Sequence, residues 1–172
     1  MVTEVSRTLD DRARDLLEVA ERELLDLVVD RRARARQHRH LEAELARAKF
    51  CNRRHAALMV RIHADGSTAR SLHGVSTLVP AWHRGWTDDI FAASLRAGRA
   101  VQTAVLASTG AVNRGVVQRS DLTGFNWADV PAVLIETGFM TNPAESTPLQ
   151  MAAYQQKVAL GITRGVAAFV AP

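Results

Sequence analysis

Apolar residues recur at helical spacing along the first part of the chain. This periodicity predicts an amphipathic helix over residues 5–24, whose apolar face contains Leu9, Ala13, Leu16, Ala20 and Leu24. The next segment, LLDLVVD at 24–30, is compatible with a short buried strand or with a continuation of that helix. Residues 41–55, LEAELARAKFCNRRH, predict a second helix.

After residue 56 the pattern changes to short apolar runs that are separated by turns. Such runs are typical of buried strands, and four are predicted: ALMVRIH (57–63), VSTLVP (75–80), GVVQRS (115–120) and PAVLIET (131–137). The segment DLTGFN (121–126) predicts a turn before the last strand.

Two further helices are predicted between and after these strands. Thr87, Asp88 and Asp89 indicate the start of the first, because their oxygens can accept hydrogen bonds from free N–H groups there, and Gly110 indicates its end. Its predicted buried face contains Ile90, Ala97, Val101, Ala104 and Val105. The last helix is predicted over about 148–170, with a buried face of Met151, Val158, Ile162, Val166 and Phe169.

Strands that alternate with helices predict one α/β domain over residues 1–172, with a mainly parallel sheet flanked by helices on both faces. The 172 residues, 47% of them hydrophobic, are sufficient to bury a core. No run reaches the roughly 18 apolar residues of a membrane helix. The start, MVTEVSRTLDD, does not have the form of a secretory signal.

The net charge is +4, and the densest basic run is RRARARQHRH at 31–40, which contains five arginines and no acidic residue. Such a run can contact nucleic acid or an anionic cell-wall polymer, but it is more often a solvated helix face or loop. No aromatic residues alternate with these arginines, so a surface for stacking bases is not supported. We therefore expect no nucleic-acid partner.

Two polar residues end predicted strands. His63 closes the first strand and Glu136 nearly closes the last, and ligands of parallel sheets bind at the carboxyl ends of the strands. A histidine there is compatible with a metal ligand, a general base or a structural residue. A carboxylate that follows three apolar residues needs a cation, a metal or a raised pKa, and a raised pKa suits proton transfer.

Several motifs resemble one family in order and spacing. They are IHADG (62–66), VPAVLIETGFMTNPAE (130–145), LHGVSTLVP (72–80), DLTGFNWADVP (121–131), YQQKVALGITRGV (154–166) and a helix with Arg47 and Asn52 before the histidine strand. Over about residues 44–170 the chain resembles the zinc-dependent N-acetylmuramoyl-L-alanine amidases, the type 3 amidases that hydrolyse peptidoglycan.

The resemblance implies a reaction and roles for three residues. Members hydrolyse the amide bond between N-acetylmuramic acid and L-alanine, with Zn²⁺ held by two histidines and one glutamate. By resemblance His63 is a zinc ligand, Glu136 is the catalytic acid and base, and Glu4 is the glutamate ligand at the start of the first helix.

The family's first histidine has no counterpart in the sequence. It belongs to a D-P-G-H-G-G-like turn, which is absent, and no family ligand corresponds to the remaining histidines, His38, His40, His55, His73 and His83. We therefore expect an amidase-like domain that is incomplete at its amino terminus.

The expected function is that of a peptidoglycan amidase, located in the cell envelope or outside the cell by family resemblance. The alternative is an inactive amidase-like module that binds the cell wall or a protein partner.

Overall fold

The computed structural model describes residues 38–171, and the chain divides into two compact units, Met1–Ala43 and Glu44–Pro172. The helix predicted over 5–24, the segment LLDLVVD, residues 31–37 of the arginine-rich run and Glu4 lie outside the described residues. Residues 38–53 are helical and are labelled α1. The four strands, His63 and Glu136 all belong to the second unit.

Four strands and four further helices follow α1. In chain order they are β1 (Met59–Asp65), β2 (Val75–Pro80), α2 (Phe91–Thr109), β3 (Asn113–Arg119), α3 (Thr123–Asn126), β4 (Ala132–Phe139), α4 (Pro143–Gln150) and α5 (Ala152–Val170). The sheet has the order β1-β4-β2-β3, in which β1 is parallel to β4 and β2 is parallel to β3. The predicted mainly parallel α/β sheet is confirmed, with one antiparallel contact between β2 and β4.

Helices cover both faces of the sheet. Because alternate side chains of a strand point to opposite faces, Leu134 and Ile135 of β4 belong to different cores. Leu134 packs in a cluster with Ala48 of α1 and Phe125 of α3. Ile135 packs in a cluster with apolar residues of α2 and α5, namely Ala97, Val101, Val105, Val158 and Ile162. The predicted helical cover on both faces is thereby confirmed.

The contact between α2 and α5 is unusually close. A Cβ atom added to Gly165 would lie 2.5 Å from the Cα of Val101, and one added to Gly161 would lie 2.6 Å from the Cα of Val105. Any side chain at these two positions would have to push the helices apart. Glycine therefore sets the distance between the two helices.

The carboxyl-terminal region differs from its prediction. The last helix is divided into α4 and α5 at Met151, which is 54% exposed instead of buried. Asn142 caps α4 because its side chain accepts a hydrogen bond from the N–H of Ala144, so the helical region begins earlier than predicted. Met151 has extended backbone angles, which interrupt the periodicity from which its burial was predicted.

Two local predictions are also corrected. The segment DLTGFN contains the short helix α3 instead of only a turn. The helix predicted to start at Thr87–Asp89 begins at Phe91, because Asp88 accepts from the N–H of Gly85 and Asp89 from that of Ile90, within the preceding turn. Gly110 ends α2 as predicted, in a left-handed conformation with φ 71°. Among residues 38–171, no helix is long and apolar enough to cross a membrane.

Candidate active site

His63 and Glu136 lie opposite each other on neighbouring parallel strands. The register of β1 and β4 pairs the two residues, and His63 Nδ1 is 3.9 Å from Glu136 Oε1. The side chain of His63 is 41% exposed, whereas that of Glu136 is 13% exposed. The pair therefore combines an imidazole that solvent reaches with a carboxylate that is largely shielded.

The carboxyl group of Glu136 has a strongly shifted pKa. Its pKa is raised from the ordinary 4.5 to about 7, mainly by burial and secondly by the negative charge of Asp65, while the positive charges of Arg61 and Arg119 oppose the shift. Its Oε2 atom is buried and has no hydrogen-bond partner among the described residues. A carboxyl group with this pKa is both a competent acid and a competent base near neutral pH.

Arg61 links the histidine to a buried carboxylate on α1. Its side chain is 7% exposed, and its Nη1 is 2.6 Å from Oε2 of Glu44, which is 5% exposed. Its Nη2 is 3.2 Å from His63 Nε2. Because a guanidinium group only donates, Nε2 of His63 accepts in this contact. Burial lowers the pKa of Arg61, and the charge of Glu44 opposes this change.

The loops beside the pair are tied to the end of β4. Glu145 accepts from the N–H groups of Gly74, at 2.8 Å, and Phe139, at 2.7 Å. The side-chain amide of Asn142 donates to the carbonyl of Arg70 at 3.0 Å. Asn142 and Glu145 belong to the motif that contains Glu136, so the motif also positions the loop that follows β1.

One hydroxyl group joins β1 and β4 beside the His63–Glu136 pair. Thr137 Oγ1 donates to the carbonyl of His63 at 2.8 Å, and Tyr154 donates from its hydroxyl to the carbonyl of Thr137 at 2.9 Å. These contacts fix the backbone immediately beside the His63–Glu136 pair.

The described residues meet part of the requirement for a zinc site. Residues 38–171 contain no group of three or more His, Cys, Asp or Glu side chains that could hold a metal ion. They do provide one imidazole, from His63, beside a buried carboxylate oxygen without a hydrogen-bond partner. This combination fits one ligand and one proton-transfer group of a zinc hydrolase. Glu4 lies outside the described residues.

Other histidines have contacts away from the pair. His73 Nδ1 lies 2.9 Å from the carbonyl of Ser71, and the ring of His83 packs edge-on against Trp86. His38 is paired with Glu42 at 3.4 Å.

Neither Glu44 nor Arg61 is among the site residues that the sequence motifs predict. A signal for Arg61 was available, since it is a charged residue in an apolar strand and lies two positions before His63, on the same face. Glu44 gave no such signal, because an acidic residue in a helix is ordinarily solvated.

Comparisons with known proteins show the family to which the chain belongs. The sequence profile of the N-acetylmuramoyl-L-alanine amidases matches residues 6–168. An N-acetylmuramoyl-L-alanine amidase of Mycobacterium tuberculosis is 34% identical over 73% of this chain and 53% of its own length.

Solved structures show the same similarity. The N-acetylmuramyl-L-alanine amidase of Mycobacterium smegmatis is 30% identical with a TM-score of 0.65, over 73% of this chain and 59% of that one. The N-acetylmuramoyl-L-alanine amidase of Clostridium difficile 630 is 26% identical with a TM-score of 0.65, over 73% of this chain and 63% of that one. The chain thus spans about half the length of the Mycobacterium tuberculosis relative and less than two thirds of either solved chain.

Proposed function

Because the chain belongs to the N-acetylmuramoyl-L-alanine amidase family, we propose that it hydrolyses the amide bond between N-acetylmuramic acid and L-alanine in peptidoglycan. The observation that best supports this proposal is the pairing of His63 with Glu136, whose pKa is raised to about 7. We further propose that the protein acts in the cell envelope or outside the cell, where this polymer lies.

Glu136 is the acid and base of the proposed reaction. Amide hydrolysis requires a proton to leave the attacking water and a proton to reach the departing amine of L-alanine. Since its pKa is about 7, Glu136 can perform the first transfer as a carboxylate and the second as a carboxylic acid. Its shielded position limits competition from bulk water during these transfers.

His63 and Glu4 are the proposed zinc ligands within this chain. When bound, Zn²⁺ would lower the pKa of the attacking water and polarise the amide carbonyl. The imidazole of His63 lies at the open side of the pair, where a substrate would approach. Arg61 contacts the same ring and is itself held by Glu44, so the ring has a defined orientation.

The principal test separates proton transfer from metal binding at Glu136. Glu136→Gln preserves shape but removes the titrating group, so we expect zinc content to remain and turnover of a purified muropeptide to fall by about 10² or more. Zinc is measured by mass spectrometry, and turnover by release of the new amine. Loss of zinc in this variant would show that Glu136 is a ligand. Absence of turnover in the zinc-loaded wild-type chain would favour the alternative of a binding module.

A second test addresses the ligands. His63→Ala is expected to abolish zinc binding while the fold is retained, and Glu4→Ala is expected to weaken zinc binding. His73→Ala is the matched control, because His73 lies in a separate loop contact. Unchanged zinc content in His63→Ala would contradict its assignment, and loss of zinc in His73→Ala would make His73 a ligand instead.

A further inference from the structure

All three tryptophans of the chain are more than half exposed. Trp82, Trp86 and Trp127 have 58%, 56% and 52% of their surface accessible. Large aromatic side chains usually contribute to a core, so exposed tryptophans that share one region indicate a binding surface. Trp82 and Trp86 lie in the loop after β2, and Trp127 follows α3.

Two cavities are lined by Trp86 or Trp127 together with polar side chains. The larger, of about 460 Å³, is lined by Trp86, Trp127, Lys49, Asn52, Asn126 and Asp129, together with the backbone at Gly85. The smaller, of about 310 Å³, shares Trp86 and Asn126 with it and is also lined by Ala81, His83 and Ser120. We call the residues that line these two cavities, which include Trp86 and Trp127, the tryptophan surface.

Hydrogen bonds hold the tryptophan surface in place. The side chain of Asn52 donates to the carbonyl of Trp127 at 2.9 Å and to Asp129 at 2.8 Å, and it accepts from the N–H of Asp129 at 2.9 Å. Asn126 donates to the carbonyl of Ser120 at 2.9 Å. A surface that is ordered in advance loses little conformational entropy when it binds a ligand.

The tryptophan surface lies at the opposite end of β4 from the His63–Glu136 pair. Because β2 is antiparallel to β4, the loop that follows Pro80 is beside the start of β4, and Trp127 shortly precedes that strand. Glu136 lies four residues along β4 from Ala132, which is roughly 13 Å of extended chain. The surface is therefore separate from the site of bond cleavage.

We propose that the tryptophan surface binds the pyranose rings of a glycan strand. A pyranose has an apolar C–H face that stacks on an indole ring, and its hydroxyl and acetamido groups at the rim bond to amides and carboxylates. Trp86 and Trp127 supply the rings, while Asn126 and Asp129 supply polar partners. The choice of peptidoglycan as the source of the glycan rests on the proposed function.

The composition of the lining favours a glycan over other polymers. Its charged side chains are one cation, Lys49, and one anion, Asp129, so the groove does not complement a polyanion such as nucleic acid. Amides and charged groups line the same cavity as the two indole rings, whereas the centre of a protein interface is depleted of charged residues.

Tryptophan fluorescence provides a direct test, since two of the three tryptophans of the chain, Trp86 and Trp127, line the tryptophan surface. We would titrate the full chain in the Glu136→Gln form, which prevents turnover, with chitotetraose and with peptide-free peptidoglycan glycan strands. A saturable change in emission is expected with the glycan strands. Trp86→Ala and Trp127→Ala are each expected to raise Kd on the order of tenfold in a pull-down with insoluble glycan. Phe50→Ala is the matched control, because Phe50 is a 50% exposed aromatic that lines a different groove.

The outcomes separate this proposal from the proposed catalysis. Glycan binding that is unchanged in both tryptophan variants, or that falls equally in Phe50→Ala, would overturn the tryptophan surface. Absence of glycan binding in a chain that hydrolyses muropeptide would also overturn it while the amidase function stands. Binding that depends on Trp86 and Trp127, in a chain without amidase activity, would support the surface and refute the catalysis. Capture of a nucleic acid or a protein in place of glycan would likewise refute the proposal.

Discussion

The two faces of the sheet are formed by the same strands but have different chemistry. On the face that packs against α2 and α5, valine and isoleucine side chains dominate, and the buried amide of Gln102 bonds to Thr77, Asn113 and the carbonyl of Val75. On the face that packs against α1 and α3, the Glu44–Arg61 ion pair is buried and one oxygen of Glu136 has no hydrogen-bond partner among the described residues.

This difference indicates where stability and reactivity reside. Apolar burial and satisfied polar groups favour the folded state, whereas a shielded carboxyl group with a shifted pKa opposes it and is characteristic of functional sites. The face with α2 and α5 thus supports the face that carries the proposed chemistry. The two faces should respond differently to substitution and to pH.

The largest loss of stability is expected when the buried Glu44–Arg61 ion pair is removed. Glu44→Ala leaves the guanidinium group of Arg61 buried without its partner, which should lower the free energy of unfolding by about 3–5 kcal/mol. Urea denaturation measures this change. Glu42→Ala, which removes an exposed carboxylate two residues earlier, is the control and should have little effect. Similar losses in the two variants would contradict the assigned role of the pair.

A double variant that lacks both charges tests whether stability and catalysis depend on the ion pair in different ways. In Glu44→Leu/Arg61→Met an apolar pair replaces the ion pair, so most of the stability lost in Glu44→Ala should return. Catalysis should not return, because His63 then lacks its contact with Arg61. Denaturation and muropeptide turnover of the double variant test this separation. Full recovery of both the stability and the muropeptide turnover would show that Arg61 has no role in positioning His63.

A smaller change in the free energy of unfolding is expected when the pH is raised. Glu136 retains its proton up to about pH 7 in the folded chain, whereas in the unfolded chain it releases the proton near pH 4.5. Raising the pH through this interval therefore favours unfolding, by about 1–3 kcal/mol in total, with no further contribution above pH 7. The measurement compares metal-free wild type with Glu136→Gln in urea at several pH values. Parallel pH profiles for the two proteins would refute the shifted pKa.

The smallest loss of stability is expected from a substitution on the face with α2 and α5. Gly165→Ala places a Cβ atom against the backbone of Val101, and the strain should exceed the gain in helix propensity, for a net loss of about 1–2 kcal/mol. Turnover per folded molecule should not change. The control is Gln156→Ala on the exposed side of α5. A variant that is as stable as wild type would show that the two helices can separate without cost.

The apolar runs and helical periodicity along the chain were sufficient to predict the α/β class and the positions of the four strands. They also identified both His63 and Glu136, because a strand leaves a strong local signal, which is an apolar run that ends in a polar residue. His63 and Glu136 each terminate such a run, and parallel strands bring such ends together. The predicted roles of Glu4, His63 and Glu136 in catalysis stay predictions.

Only the tertiary structure revealed which other residues belong to the site. The partner of Arg61 lies on a different element, so no local pattern links it to Glu44. Likewise, the burial of Met151 depended on whether one helix or two follow Asn142, and periodicity does not distinguish these cases. Local spacing determines what a segment can form, whereas contacts between distant segments decide which charges are buried and which aromatic rings remain exposed.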